Sequence, residues 1–236
     1  MPNSYFQFKQ FRVEQGQSGM KVTTDGCFFG ATIPSLDDGT VLDIGAGTGL
    51  LSLMMAQKSP NTQIEAIEID QSAFEEATMN VQNAPWHNRI KVRHTSLQSF
   101  DSSKKYDLIM SNPPFFKDNF KGDSVRKNKA IHNDSLSFEE LAQKASILLS
   151  DLGQLWVMYP AFEMSQFIKI ATDFGLYVHS LISLRNKLDG PILRQISQLG
   201  KTPMSAKTSE DIHIRSNDGA YSQEFTDLLK DYYLHL

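Results

Sequence analysis

The tetrapeptide Asn112-Pro113-Pro114-Phe115 brings together an amide side chain, two prolines and an aromatic face, and it directly follows the apolar run Tyr106-Asp107-Leu108-Ile109-Met110-Ser111. That run reads as a buried strand, so the tetrapeptide stands at a strand's carboxyl end, where open α/β sheets place their chemistry. The chemistry it suits is methylation of a planar amine. The lone pair of such a nitrogen, as on adenine, is delocalised into the ring, and two acceptors gripping its two hydrogens draw it toward tetrahedral geometry. The side-chain oxygen of Asn112 and the carbonyl of Pro113 are the candidate acceptors. Prolines fix φ and carry no N–H, so Pro113 and Pro114 hold those oxygens still without offering a competing donor, and Phe115 offers a face for stacking a base. The alternative use of the same residues is a Pro-Pro turn that merely ends a strand.

A second motif lies upstream. Thr40-Val41-Leu42-Asp43-Ile44 reads as a short strand, runs into Gly45-Ala46-Gly47-Thr48-Gly49, and is followed by the apolar helix pattern Leu50, Leu51, Leu53, Met54 and Met55. Glycines permit the positive φ of a tight turn and let a ligand approach the backbone where a β-carbon would block it. A dinucleotide site asks for G-x-G-x-x-G, whereas Leu50 follows Gly49 here, which disfavours NAD. Asp43 suits a ligand bearing an amino acid, because its carboxylate would repel a pyrophosphate and attract an ammonium. The next strand, Ile64 to Ile69, carries Glu68 roughly 20 residues beyond the turn, the separation expected of an acid that accepts both ribose hydroxyls. Asp70 reads as the cap of the helix that follows.

The turn Asp43 to Gly49, the strand end Glu68-Ile69-Asp70 and the tetrapeptide together resemble the class I methyltransferases that use S-adenosylmethionine and modify exocyclic or amide nitrogens. The stretches Phe11 to Gln15, Met20 to Gly26, Arg126 to His132 and Pro191 to Gln195 extend the likeness, over essentially the whole chain, to the bacterial tRNA adenine N6-methyltransferases that act on the valine tRNA beside its anticodon. The resemblance implies a Rossmann-like, mostly parallel seven-stranded sheet with an antiparallel edge pair and helices on both faces. It implies S-adenosylmethionine as cofactor, held by Asp43, Gly45, Gly47, Gly49 and Glu68, with Thr24 and Asp25 near its methionine end. Where many relatives carry an Asp that accepts from the cofactor's adenine amine, this chain has Ser96, followed by Leu97, as its candidate contacts; a neutral serine is a weaker acceptor there, or simply opens a loop. The same tetrapeptide chemistry serves protein glutamine and rRNA guanine N2 methyltransferases, and a non-catalytic adenosyl-ligand module is the reading from another class.

Positioning these groups requires alternating elements. Strands near 41–44, 64–69, 90–94, 106–111 and 153–159 alternate with helix patterns near 50–58, 72–84, 137–149 and 162–174, which implies βαβ units and a parallel sheet. Ser137 with Glu140 forms a capping box. Tyr177 to Leu184 and Ile192 to Leu199 read as two further strands, Lys201 to Gly219 as a polar and partly loose segment, and Ser222 to Leu234 as a last helix.

The length of 236 residues and 40% hydrophobic content suit one domain, 1–236, with residues 1–35 as an extension covering cofactor and substrate. The single cysteine, Cys27, is expected as a buried thiol. No signal-peptide pattern and no apolar run near 18 residues is present, so the expectation is a cytoplasmic protein without a membrane span, and the lack of clustered Cys and His predicts no metal. We expect a monomer. A formal net charge of −4 repels phosphate, so an RNA partner needs local positive charge. Lys117, Lys121, Arg126, Lys127 and Lys129, interleaved with Phe115, Phe116 and Phe120, follow the tetrapeptide and are the candidate RNA contacts. A second, diffuse patch comprises Arg185, Lys187, Arg194, Lys201 and Lys207. His94 and His132 are not needed as bases, since methyl transfer from a sulfonium depends on alignment.

Overall fold

The computed structural model describes residues 3–17, 19, 21–113, 136–204 and 208–236. Along the chain these form β1 (Tyr5–Gln7), β2 (Arg12–Glu14), α1 (Thr24–Thr32), β3 (Gly39–Ile44), α2 (Leu50–Lys58), β4 (Thr62–Glu68), α3 (Gln71–Gln82), β5 (Ile90–His94), β6 (Tyr106–Ser111), α4 (Phe138–Leu148), β7 (Leu149–Tyr159), α5 (Ala161–Asp173), β8 (Tyr177–Arg185), β9 (Ile192–Gly200), β10 (Thr208–His213) and α6 (Gln223–Leu229).

The main sheet has the order β10-β8-β9-β7-β6-β3-β4-β5. Its central strands are apolar on both faces because helices cover both. Val41, Leu108, Met110, Trp156 and Met158 face one core with α1, α2 and α6, whereas Leu42, Ile44, Ile109, Leu155 and Val157 face the other with α4 and α5. The period of two along each strand thus divides one set of residues between two cores.

The sheet departs from the expectation in strand number and in its edge. It has eight strands, and only β9 runs antiparallel, inserted between β7 and β8. The edge is β10, paired in parallel with β8 inside the segment expected to be loose. That strand is polar and largely exposed, so no apolar alternation announces it; backbone pairing with β8 makes it. The last helix stops at Leu229, earlier than the expected Leu234.

Two N-terminal elements were also absent from the pattern reading. α1 buries Gly26, Cys27, Phe28, Phe29 and Gly30 in one consecutive run, which shows no amphipathic period. Gly30 allows its close approach to α2, since a β-carbon there would lie 2.6 Å from the sulfur of Met54. The β1–β2 hairpin inserts Phe8, Phe11 and Val13 into the first core and pairs with the C-terminus, Lys9 N–H donating to the Tyr232 carbonyl at 2.8 Å. Cys27 is fully buried, and desolvation pushes its thiol pKa up to about 12.

Candidate active site

The carboxyl ends of β3, β4 and β6 converge, with Ile44 level with both Ser111 and Ile67. The hydroxyl of Ser111 donates to the Ile44 carbonyl at 2.9 Å, which fixes the strand end from which Asn112 departs.

The turn after β3 is built on three glycines with left-handed φ: Gly45 at 72°, Gly47 at 57° and Gly49 at 83°. The N–H groups of Gly45 and Ala46 both donate to the Ile67 carbonyl, at 2.9 and 3.0 Å, which folds the turn over the end of β4. A β-carbon at Gly45 or Gly47 would have no atom of the described residues within 4 Å; one at Gly49 would meet Ala77 of α3 at 3.6 Å. The first two glycines therefore leave open space for a ligand, and the third serves helix packing.

Two acids stand behind this turn. Asp43 is completely buried, its Oδ2 accepts from the Ser52 hydroxyl at 2.7 Å, and its Oδ1 has no hydrogen-bond partner among the described residues. Burial raises its pKa to about 7 against the pull of the Ser52 hydrogen bond, with repulsion from Glu68 adding to the rise. Glu68 at the end of β4 accepts from Gly47 N–H at 2.8 Å through Oε2 and from the Ile69 and Asp70 N–H groups, each at 2.9 Å, through Oε1. Asp70 caps α3, its side chain accepting from Ala73 N–H at 2.8 Å.

A cavity of about 330 Å³ opens over the turn, bounded by Gly45, Gly47, Asn112, Pro113, Asp25 and Arg194 among others. Within it the Asn112 Oδ1 is buried and lacks a hydrogen-bond partner among the described residues. A buried amide oxygen with no partner is costly unless a ligand donates to it. Asp25 and Arg194 form an ion pair at 2.9 Å across the cavity from α1 to β9.

The remaining expected residues lie further out. Thr24 is exposed and its side chain engages Tyr233; Thr23 lines the cavity and caps α1 by accepting from Gly26 N–H at 3.2 Å. Ser96 accepts from Ser99 N–H at 3.1 Å, and Leu97 is buried in the second core. His94 meets the Ile69 carbonyl at 2.8 Å and stacks on Phe74. Pro114, Phe115, Lys117, Lys121, Arg126, Lys127, Lys129 and His132 lie outside the described residues.

Sequence reading missed Asn80. This side chain, 1% exposed on α3, accepts from Glu14 N–H at 2.8 Å and donates at 2.9 Å to the carbonyls of Glu14 and Thr48. It thereby ties the N-terminal segment to the glycine turn. The available signal was a polar residue on the buried stripe Ala73, Ala77, Asn80 and Val81.

Among the described residues no helix is long and apolar enough to cross a membrane, and no group of three or more His, Cys, Asp or Glu could hold a metal ion.

A model of the methyltransferase small domain matches residues 21–178. A relative named tRNA1(Val) (adenine(37)-N6)-methyltransferase from Cytophaga hutchinsonii is 39% identical over 240 residues and is aligned over 100% of both chains. Proteins of the same name from Flavobacterium johnsoniae and Pseudoalteromonas translucida are 36% and 37% identical, over 98% and 99% of this chain and 100% of theirs. Among solved structures, a protein of Agrobacterium tumefaciens described as a predicted O-methyltransferase superposes with a TM-score of 0.67 at 17% identity, covering 87% of this chain and 95% of that one. That likeness shows the fold. The relatives matched end to end show the family: this chain belongs to the methyltransferase small domain proteins, among the tRNA1(Val) (adenine(37)-N6)-methyltransferases.

Proposed function

We propose that this chain transfers a methyl group from S-adenosylmethionine to N6 of adenine 37 in the valine tRNA. The observation that carries the chemistry is the buried, unpartnered Asn112 oxygen in the cavity over the glycine turn. The identity of the RNA and of the base follows the relatives that match over their full length.

The residues present fit the cofactor. The open cradle at Gly45 and Gly47 admits a ligand against the backbone, and the unpartnered Asp43 oxygen is an acceptor for an ammonium, directly or through water. Glu68 keeps lone pairs beyond its three backbone bonds to accept ribose hydroxyls. Ser96 and Leu97 would border the adenine, and Thr23 and Asp25 the methionine end. When bound, the cofactor supplies an electrophilic methyl on a cationic sulfur.

The protein's own contribution is orientation. Asn112 Oδ1 and the Pro113 carbonyl accept the two hydrogens of the target amine, biasing its lone pair toward the methyl group and stabilising the positive charge that grows on nitrogen. Pro113 and Pro114 hold those acceptors, and Phe115 stacks the base. Lys117, Lys121, Arg126, Lys127 and Lys129 contact flanking phosphates in this reading. Residues 1–35 cover the site: Lys21, Val22 and Thr23 line the cavity, and Asn80 holds the segment in place. The enzyme acts as a monomer in the cytoplasm, where its substrate is, without a metal.

The test is methylation of a valine tRNA transcript by the purified chain, with nucleosides resolved by mass spectrometry. N6-methyladenosine should form, and replacing adenine 37 by guanine should abolish it. Methylation of a protein glutamine with no reaction on tRNA would replace the substrate and keep the amine chemistry.

A further inference from the structure

We infer that Asn80 is a positioning residue that couples the two ligand-facing parts of the site: S-adenosylmethionine on the glycine turn fixes, through this buried side chain, the N-terminal wall that receives the target base. The inference deepens the proposed function and takes tRNA as the second ligand from it.

The relay begins where α3 passes against the turn. Gly49 lies so close to this helix that an added β-carbon would meet Ala77 at 3.6 Å, and three residues further on Asn80 donates to the Thr48 carbonyl at 2.9 Å. Thr48 lines the cavity beside Gly47, in the stretch of backbone that a ligand meets. A ligand seated on the turn therefore restrains the Thr48 carbonyl as well.

The same amide holds the end of β2. Its Oδ1 accepts from Glu14 N–H at 2.8 Å and its Nδ2 donates to the Glu14 carbonyl at 2.9 Å, so Asn80 engages both backbone groups of Glu14 as a neighbouring strand would. The oxygen and both N–H groups of the amide are in use at 1% exposure. A shift of the Thr48 carbonyl either carries Glu14 with it or strands a buried polar group without a partner, and the second course is the costly one.

Glu14 passes the restraint to the cavity through the next residue. The side-chain oxygen of Gln15 accepts from Val22 N–H at 2.7 Å, and its carbonyl accepts from the Lys21 ammonium at 3.1 Å. Lys21, Val22 and Thr23 form the cavity wall together with Asn112 and Pro113. The cofactor side and the substrate side of one cavity are thus joined through a single buried amide.

A second residue of α3 separates this coupling from simple anchoring. Glu76, one turn before Asn80 and 3% exposed, accepts from Gln17 N–H at 3.0 Å, through a bond that does not involve Thr48. Two residues share the task of holding the N-terminal stretch on the helix, and Asn80 adds the bond to the turn. The consequence is reciprocal: cofactor raises the affinity for tRNA, and tRNA raises the affinity for cofactor by the same factor.

The experiment measures binding of the valine tRNA to the full chain with and without S-adenosylhomocysteine, which fills the cofactor site without permitting turnover. The wild type is compared with its N80A, N80D and E76A variants, and amide exchange at Glu14, Gln17 and Val22 is followed by NMR on the same proteins. In the wild type, S-adenosylhomocysteine should tighten tRNA binding roughly fivefold or more and slow exchange at Glu14 and Val22. N80A should bring the affinity ratio to about one, as should N80D, which keeps the acceptor for Glu14 and loses both donors. E76A should retain the ratio. Each ratio compares one protein with itself, so a loss of stability alone does not move it. Equal ratios in the wild type and both Asn80 variants would overturn the coupling, and so would a loss in E76A as complete as in N80A. A wild type that shows no cofactor-dependent slowing at Val22 would overturn it without any variant. The exchange measurement needs no tRNA: slowing at Val22 that requires Asn80, in a chain that binds no tRNA, would support the coupling and overturn the tRNA reading alone.

Discussion

Glu68 accepts the backbone N–H of Gly47 at 2.8 Å, so the acid at the end of β4 braces from behind the turn that faces the cavity. With its other oxygen on Ile69 and Asp70, one carboxylate fixes three backbone donors. Glu68→Gln turns an amide N–H₂ toward one of these donors. Calorimetry should register at least a tenfold loss of S-adenosylmethionine affinity, and unfolding a stability loss of about 1–3 kcal/mol. Unchanged binding by the folded variant would remove Glu68 from the cofactor site.

Gly47 and Gly49 share a left-handed φ and differ in what surrounds them, which separates a ligand effect from a folding effect. Alanine at either position should cost roughly 1–2 kcal/mol of stability through backbone strain. Only Gly47→Ala should also weaken cofactor binding beyond what that strain explains, because its methyl enters open space over the turn. Equal affinity for the two variants would contradict the assignment of that space to the ligand.

For Asn112→Ala, the expected outcome is a fall in kcat of roughly a hundred- to a thousandfold with cofactor affinity nearly unchanged, since the lost acceptor acts on the target amine. Single-turnover rates on tRNA alongside calorimetry decide it. A variant turning over at the wild-type rate would end the amine-orienting role.

Asp43 makes stability depend on pH. Burial lifts its pKa from 3.8 to about 7 in the folded state, so folding favours its protonated form. The sign follows: the contribution is full below about pH 4 and is lost as pH rises through 7, on the order of 4 kcal/mol in all. Urea unfolding at pH 5 and pH 8 should show the wild type weakening relative to Asp43→Asn, which has no proton to lose. A gap between the two proteins that stays constant across that range would refute the raised pKa.

What the sequence made legible was whatever carries a local rule. The strand-glycine-helix at Asp43 to Leu50 and the strand ending at Ser111 combine a hydrophobic period with turn residues that tolerate few alternatives, and both formed as read. The Asp70 cap and the Ser137–Glu140 capping box are equally local and equally present. What escaped depended on partners far along the chain. β10 is polar and is a strand only through β8; α1 lacks an amphipathic face because it is enclosed by α2 and α6. Asn80 reads as an ordinary helix residue until the fold brings Glu14 and Thr48 to it. Arg194 belongs to a diffuse charge pattern in sequence and to the cavity wall in space.

The insertion of β9 between β7 and β8 sets an order on how the molecule is made. As the ribosome delivers the chain, β7 and then β8 emerge before the strand that must lie between them. The free edge of β7, beside the strand that positions Asn112, stays without its partner while residues 160 to 200 are synthesised, a few seconds at about 5–20 residues per second. α5 emerges in that interval and can cover one face of the sheet, but not the open row of N–H and C=O groups. The nascent half-sheet is therefore the stage at which this protein is most open to pairing with another chain, and slowing translation between Asp173 and Gly200 should increase aggregation without altering the stability of the finished fold.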